Sequence, residues 1–279
     1  MKQFHMIAGL PRSGSTLLSS ILSQNPQFHT GISDPLNGAI SRIIREFSVG
    51  GVSTQCTEEQ KLSALSGFID GYYNHIDKPI VFNTSRYWTG MLHVMDKLRS
   101  NAKVICCVRD IPWIINSFEI INKKNPFHTT TLVKPEFKDN VFSRSDAMMD
   151  KKDGIIAKHW ISLQEGYAIN PEMIYFVEYK NLCESPEEEM RNIYEFLEKP
   201  YYQHDFENVE YSNENFDRFC NLKDLHTVRK KVEYKEQKKV LPPEIWEKYE
   251  SMNMEFWRKD CKSNSDTIDK LNKKFIQYN

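Results

Sequence analysis

No run of 18 apolar residues occurs anywhere in the 279-residue sequence, so no membrane span is expected. There is no C-x-x-C pair and no Cys/His cluster at ligand spacing. The six cysteines (Cys56, Cys106, Cys107, Cys183, Cys220 and Cys261) therefore read as reduced thiols, and no metal is expected. The opening MKQFHMIAG is too short and too polar for a secretory signal. Charge of one sign is also lacking: 37 basic and 38 acidic residues give a net charge of −1. No global field would draw nucleic acid, and any anion site must be local. Internal repeats and low-complexity tracts are missing too. These absences lead to the expectation of a cytoplasmic protein folded as one domain over residues 1–279.

What is there is ordinary for a globular chain, with 40% hydrophobic and 27% charged residues. Residues 4–8 (FHMIA) read as a strand, 9–14 as a glycine turn, and 15–23 as a helix with Leu17, Leu18, Ile21 and Leu22 at helical spacing. Further helices are expected over 40–47, 62–75, 90–98, from Pro112 onward, and over 186–197. Residues 79–82 (PIVF), 103–108 (KVICCV) and 173–177 (MIYFV) read as strands, the last two as buried ones. Strands alternating with helices predict an α/β fold, a P-loop-like αβα sandwich around a central parallel sheet. Residues 122–153 are polar and aperiodic and suggest a disordered segment or a lid over the acceptor site. Residues 242–279 read as a helical tail carrying Trp246, Tyr249 and Trp257.

The most informative segment is GLPRSGSTLL, residues 9–18. Its glycines permit a tight turn, and the turn ends at a helix start, where open N–H groups favour an anion. Arg12, Ser13, Ser15 and Thr16 add donors. The segment has both glycines and the final hydroxyl of the G-x-x-x-x-G-K-[ST] triphosphate loop, but Ser15 stands where the lysine belongs. The cation here is Arg12. A second anion site is suggested where KVICCV ends in Arg109, with Ser117 two helical turns into the next helix. Two phosphate cradles, each ending a strand, suit an adenosine phosphorylated at both its 3' and 5' ends.

On these residues the chain resembles the sulfotransferases that use 3'-phosphoadenosine 5'-phosphosulfate (PAPS). GLPRSGSTLL resembles their 5'-phosphosulfate loop, VRDIPWIINSF (108–118) their 3'-phosphate segment, and VEYKNLCESPEEEMRNIYEFLE (177–198) a later tyrosine-bearing block. With LHTVRKKVEYKE at 225–236, the pattern looks closest to bacterial and phage members of the tyrosylprotein-sulfotransferase-like branch. The resemblance implies that Pro11, Arg12, Ser13, Gly14, Ser15 and Thr16 hold the 5'-phosphosulfate. It further implies that Arg109 and Ser117 hold the 3'-phosphate, that Tyr179 lies near the nucleotide, and that Arg229 and Lys230 cover it. Two departures stand out. The branch's glutamate base falls at Ser33, beside Asp34, and the lysine many relatives carry after the second strand is Thr84 here, with Arg86 two residues on.

The expected reaction moves a sulfuryl group to an acceptor hydroxyl on a protein tyrosine, a sugar or a small alcohol. It releases 3',5'-adenosine bisphosphate (PAP). Positioning and charge stabilisation carry such a transfer, with a base to take the acceptor proton. Asp34 is the favoured base, with His29 and His93 as alternatives, and Arg12 and Arg86 are the expected electrophilic partners. Asp34 could instead only shape the turn before Pro35. The competing readings are a P-loop kinase for a small substrate, with Asp110 holding Mg²⁺, and a nucleotide-binding module without catalysis.

Overall fold

Phe4, Met6 and Ala8 of the first strand pack in one apolar cluster while Ile7 between them packs in another. Period-two alternation with both sets apolar means a strand covered on both faces. A computed structural model gives the fold, describing residues 2–127, 131–132, 139–210, 214–221, 223, 225–252 and 254–258. Five strands form one sheet: β1 (Gln3–Gly9), β2 (Phe28–Thr30), β3 (Ile80–Thr84), β4 (Val104–Val108) and β5 (Ile174–Glu178). Their order is β2-β3-β1-β4-β5, and every pairing is parallel. Met6 lies opposite Val104, and Val104 opposite Ile174.

In the first half of the chain the helices are α1 (Ser15–Leu22), α2 (Leu36–Glu46), α3 (Glu58–Tyr72), α4 (Leu92–Leu98) and α5 (Ile111–Lys124). They are followed by α6 (Val141–Met148), α7 (Ala157–Ile169), α8 (Tyr179–Glu184), α9 (Pro186–Phe196), α10 (Glu214–Phe219) and α11 (Pro243–Glu250). Leu18, Ile21 and Leu22 of α1 and Met190 and Ile193 of α9 cover one sheet face with Ile105 and Cys107. Leu36, Leu65, Met95 and Ile114, from α2, α3, α4 and α5, cover the other with Val104 and Cys106. The expected αβα layering is therefore present.

Several boundaries differ from the sequence expectation, each for a local reason. Helix α3 starts before the expected position 62 because Thr57 and Gln60 cap each other reciprocally, at 3.2 and 2.8 Å. Helix α2 starts ahead of the expected position 40 because Asp34 Oδ1 accepts the Leu36 N–H at 2.8 Å. The expected helix 90–98 opens as a 3₁₀ turn, Arg86–Met91. The expectation of an aperiodic 122–153 is corrected at its end by α6, whose cap is Asn140 accepting from Ser143 N–H at 2.9 Å. Residues 128–130 and 133–138 of that expected lid lie outside the described residues, as do 259–279 of the expected tail. The tail's helix ends at Glu250, and Trp257 packs instead on Phe176 at the sheet, centroids 6.4 Å apart.

The chain visits β2 and β3 on one side of β1, then crosses to β4 and β5 on the other. The reversal puts a crevice at the carboxyl ends of β1 and β4, where doubly wound sheets hold ligands.

Candidate active site

Gly9 ends β1 with φ +113°, and a Cβ there would meet the Cys107 carbonyl oxygen at 2.1 Å. Only glycine lets the two strands approach so closely. The turn that follows holds Arg12 at φ +58°, a left-handed backbone that costs roughly 1–3 kcal/mol in a residue with a side chain. Gly14 (φ +95°) caps α1 without a side-chain bond. The first backbone bond of α1 is Leu18 N–H to Gly14 C=O, at 2.9 Å. The N–H groups before it are those a helix start leaves open, and the helix dipole adds positive charge there.

Arg109 leaves the end of β4, and Ser117 sits on α5; both are buried. Arg12 Nε donates to Ser117 Oγ at 3.2 Å, so the two expected cradles share one cleft. The Arg109 guanidinium lies 4.6 Å from the ring centroid of Tyr179, a cation–π distance. Tyr179 opens α8 at the end of β5, and its ring edge would meet a Cβ on Gly14 at 2.9 Å. Burial pushes the Tyr179 hydroxyl up to about 12.

A cleft of about 830 Å³ opens over this arrangement. Arg12, Gly14, Ser15, Thr16, Arg86, Arg109, Ser117, Tyr179 and Arg229 all line it. Burial lowers the Arg12 guanidinium to about 10, with Arg109 and Arg86 pushing in the same direction. Burial also lowers Arg86 and Arg109. Among the described residues none of the three pairs with a carboxylate. Three converging guanidiniums, none ion-paired to a carboxylate among the described residues, make a site for a strongly anionic ligand.

Residues 225–240 form a strap across the cleft. Arg12 Nη1 donates to the Leu225 carbonyl. Asn116 of α5, fully buried, donates to the Lys238 carbonyl at 3.0 Å and accepts from the Val240 N–H at 2.8 Å. Between these anchors Val209 N–H bonds the Lys230 carbonyl at 2.7 Å, and Val232 N–H bonds the Phe206 carbonyl at 2.8 Å.

Four expected site residues do not line the cleft. Lys230 is on the strap but is exposed and pairs with Glu210 at 2.9 Å, away from the cleft that its neighbours Arg229 and Lys231 line. Pro11 and Ser13 lie buried beneath the loop, with Ser13 Oγ donating to the Pro11 carbonyl at 3.3 Å. Asp34 is the fourth: its Oδ1 holds the start of α2 and its Oδ2 accepts from the Tyr72 hydroxyl at 3.2 Å. That is the turn-shaping role, and the geometry does not favour Asp34 as a base. His29 packs edge-on against Tyr73 and His93 is exposed on α4; neither lines the cleft. Asp110, the magnesium ligand of the kinase reading, is instead ion-paired with Arg258.

Sequence reasoning missed His226, Gln237 and Lys238, which line the cleft from the strap, and Asp217, which bonds His226. The only signal was the LHTVRKKV stretch itself, noted for its cations and not for its histidine. Among the described residues no group of three or more His, Cys, Asp or Glu could hold a metal ion, and no helix is long and apolar enough to cross a membrane.

Comparison with known proteins follows the geometry. No curated protein matches the sequence. The sulfotransferase from Alicyclobacillus acidocaldarius superposes with a TM-score of 0.50 at 13% identity, covering 78% of this chain and 89% of that one. The sulfotransferase domain from the curacin biosynthetic pathway covers 98% of both chains at 14% identity, with a TM-score of 0.48. The sulfotransferase domain from the Synechococcus PCC 7002 olefin synthase gives 0.47 at 17% identity, covering 90% of this chain and 89% of that one. Residues 6–203 match the sequence profile described as the sulfotransferase family. That span runs from β1 past α9 and takes in the glycine turn, Arg86, Arg109, Ser117 and Tyr179, so this chain belongs to the sulfotransferase family.

Proposed function

We propose that the sulfuryl donor is PAPS and that the cleft binds it at both phosphate ends. The carrying observation is the convergence of Arg109, buried, with Arg12 and Arg86, half-buried, none of them paired with a carboxylate among the described residues. The glycine turn fits a 5'-phosphosulfate, because the start of α1 offers N–H donors beside Ser15 and Thr16, which line the cleft. Arg109 with Ser117 suits a 3'-phosphate, and Tyr179 supports the Arg109 guanidinium from one side. Arg229 covers the bound nucleotide from the strap, whereas Lys230 faces away. Bound PAPS supplies an activated sulfuryl group with a phosphate leaving group.

The chain's own residues would then bind, orient and neutralise. Arg12 and Arg86 stabilise charge at the bridging oxygen, where a buried cation acts more strongly than in water. The acceptor is a hydroxyl compound, reached through the part of the cleft bordered by Arg86, Leu132 and Ile155. We read residues 1–279 as one domain working in the cytoplasm. Cys56, Cys106, Cys107, Cys183 and Cys220 are free thiols, as a reducing compartment would keep them.

The test is a thermal shift without metal. PAP at about 100 times its Kd should stabilise the protein by about 2.7 kcal/mol. Stabilisation by ATP with Mg²⁺ but not by PAP would transfer the assignment to a nucleotide kinase.

A further inference from the structure

His226 enters the cleft from the strap, beside the point where Arg12 grips the Leu225 carbonyl. Its ring is held by Asp217 of α10, a buried residue. The bond from Nδ1 to Asp217 Oδ1 is 2.6 Å, and Asp217 Oδ2 accepts the His226 backbone N–H at 3.1 Å. One carboxylate thus fixes both the ring and the main chain of the histidine. A carboxylate only accepts, so Nδ1 carries the ring proton and Nε2 the lone pair. This is the orientation an imidazole needs to take a proton from a substrate.

We infer that the His226–Asp217 pair is the general base of the transfer, with His226 catalytic and Asp217 its positioning residue. The inference rests on the PAPS reading of the cleft. In the step, the acceptor O–H proton moves to His226 Nε2 as the acceptor oxygen bonds sulfur. The bond from sulfur to the 5'-phosphate oxygen breaks, and its electron pair leaves with the phosphate. The imidazolium later returns its proton to solvent.

Arg12 after β1 and Arg86 after β3 line the same cleft, and both oppose protonation of the ring. Burial is the largest cause lowering the His226 pKa, and Asp217 pulls it up. The net shift is downward, which keeps the ring neutral near pH 7 and ready to accept. Asp34, by contrast, does not line the cleft, and its two oxygens accept from Leu36 N–H and the Tyr72 hydroxyl.

The experiment compares wild type with His226→Ala, His226→Gln and Asp217→Asn. PAP affinity is read by calorimetry. Cleavage of sulfur-35-labelled PAPS is read in buffer, where water is the acceptor, and with added phenols and alcohols. Both His226 variants should bind PAP within about threefold of wild type and lose about 10²–10⁴ in cleavage rate. Exogenous imidazole should restore part of the rate to His226→Ala, which a merely structural role would not allow. Asp217→Asn should lose less, and by removing the raising partner should move the acid limb of its pH profile to lower pH. An NMR titration of the His226 ring in the free protein should move the same way.

Wild type that fails to bind PAP overturns the PAPS reading and this inference with it. Wild type that binds PAP but cleaves labelled PAPS no faster than buffer overturns the pair alone. So does a His226 variant that cleaves within threefold of wild type. Loss of PAP binding along with cleavage makes His226 a prop of the strap and also overturns the base assignment.

Discussion

Arg144 and Arg109 both carry a guanidinium into the protein, but their surroundings differ. Arg144 on α6 makes a two-pronged bond to Glu119 on α5, Nε to Oε1 at 2.8 Å and Nη2 to Oε2 at 2.7 Å. Hydrogen bonding to Glu119 raises its pKa. Arg109 has the Arg12 carbonyl and Gln237 Oε1, each at 3.4 Å, and the ring faces of Tyr179 and Trp113, but no ion-paired carboxylate among the described residues. Burial lowers its pKa. A buried cation with a carboxylate is part of the scaffold. A buried cation without one is held at a cost in stability that an arriving anion would offset. The same residue type is thus matched by a carboxylate at position 144 and, among the described residues, left without one at position 109.

The largest effect should come from breaking the paired side. Arg144→Ala leaves Glu119 buried without its cation, and the loss should be ~3–5 kcal/mol in denaturant unfolding, with the affinity of the folded protein for PAP unchanged. Next comes the unpaired side. Arg109→Ala should leave the free protein's melting temperature where it is, or raise it, yet weaken PAP about tenfold to a hundredfold. Adenosine 5'-phosphosulfate, which lacks the 3'-phosphate, should bind both forms about equally. Equal losses for the two nucleotides would make Arg109 scaffold, like Arg144.

Gly14→Ala probes the surface that supports Arg109. The new Cβ would sit 2.9 Å from the Tyr179 ring at φ +95°, so the ring must shift. A stability loss of about 1–3 kcal/mol is expected, together with weaker PAP binding. Unchanged PAP affinity would show that Tyr179 does not set the position of Arg109. The smallest effect belongs to Lys230→Ala. That side chain pairs with Glu210 in solvent, so stability should stay unchanged and PAP affinity should move by less than about twofold. A tenfold loss of PAP would return Lys230 to the nucleotide's cover.

How much of this was legible in the sequence depended on the range of the cause. KVICCV reads as a buried strand because burial on both faces leaves a continuous apolar run, and it is β4. The glycine turn reads as an anion site because its chemistry lies within ten residues. Helices α2 and α3 start early because Asp34, whose side chain holds the turn into α2, and Thr57, the cap of α3, lie outside the apolar periodicity that marks a helix. Asp34 looked like a base from its position after the loop helix; its bond to Leu36 is local, but its bond to Tyr72 on α3 is invisible in the sequence.

The sequence by itself determined the layered α/β class, the phosphate loop and the arginine-to-serine spacing of residues 109–117. Each follows from neighbours along the chain: apolar alternation, glycine backbone freedom, and helix pitch. Tertiary structure alone decided which cations go unpaired and which histidine faces them. Arg86 follows β3, Arg12 follows β1, and His226 comes more than a hundred residues after β4. Their meeting depends on the order β2-β3-β1-β4-β5 and on a strap pinned by Asn116 and Arg12. No local pattern carries that information, because the sheet order and the return of the strap bring together residues that are distant in the chain.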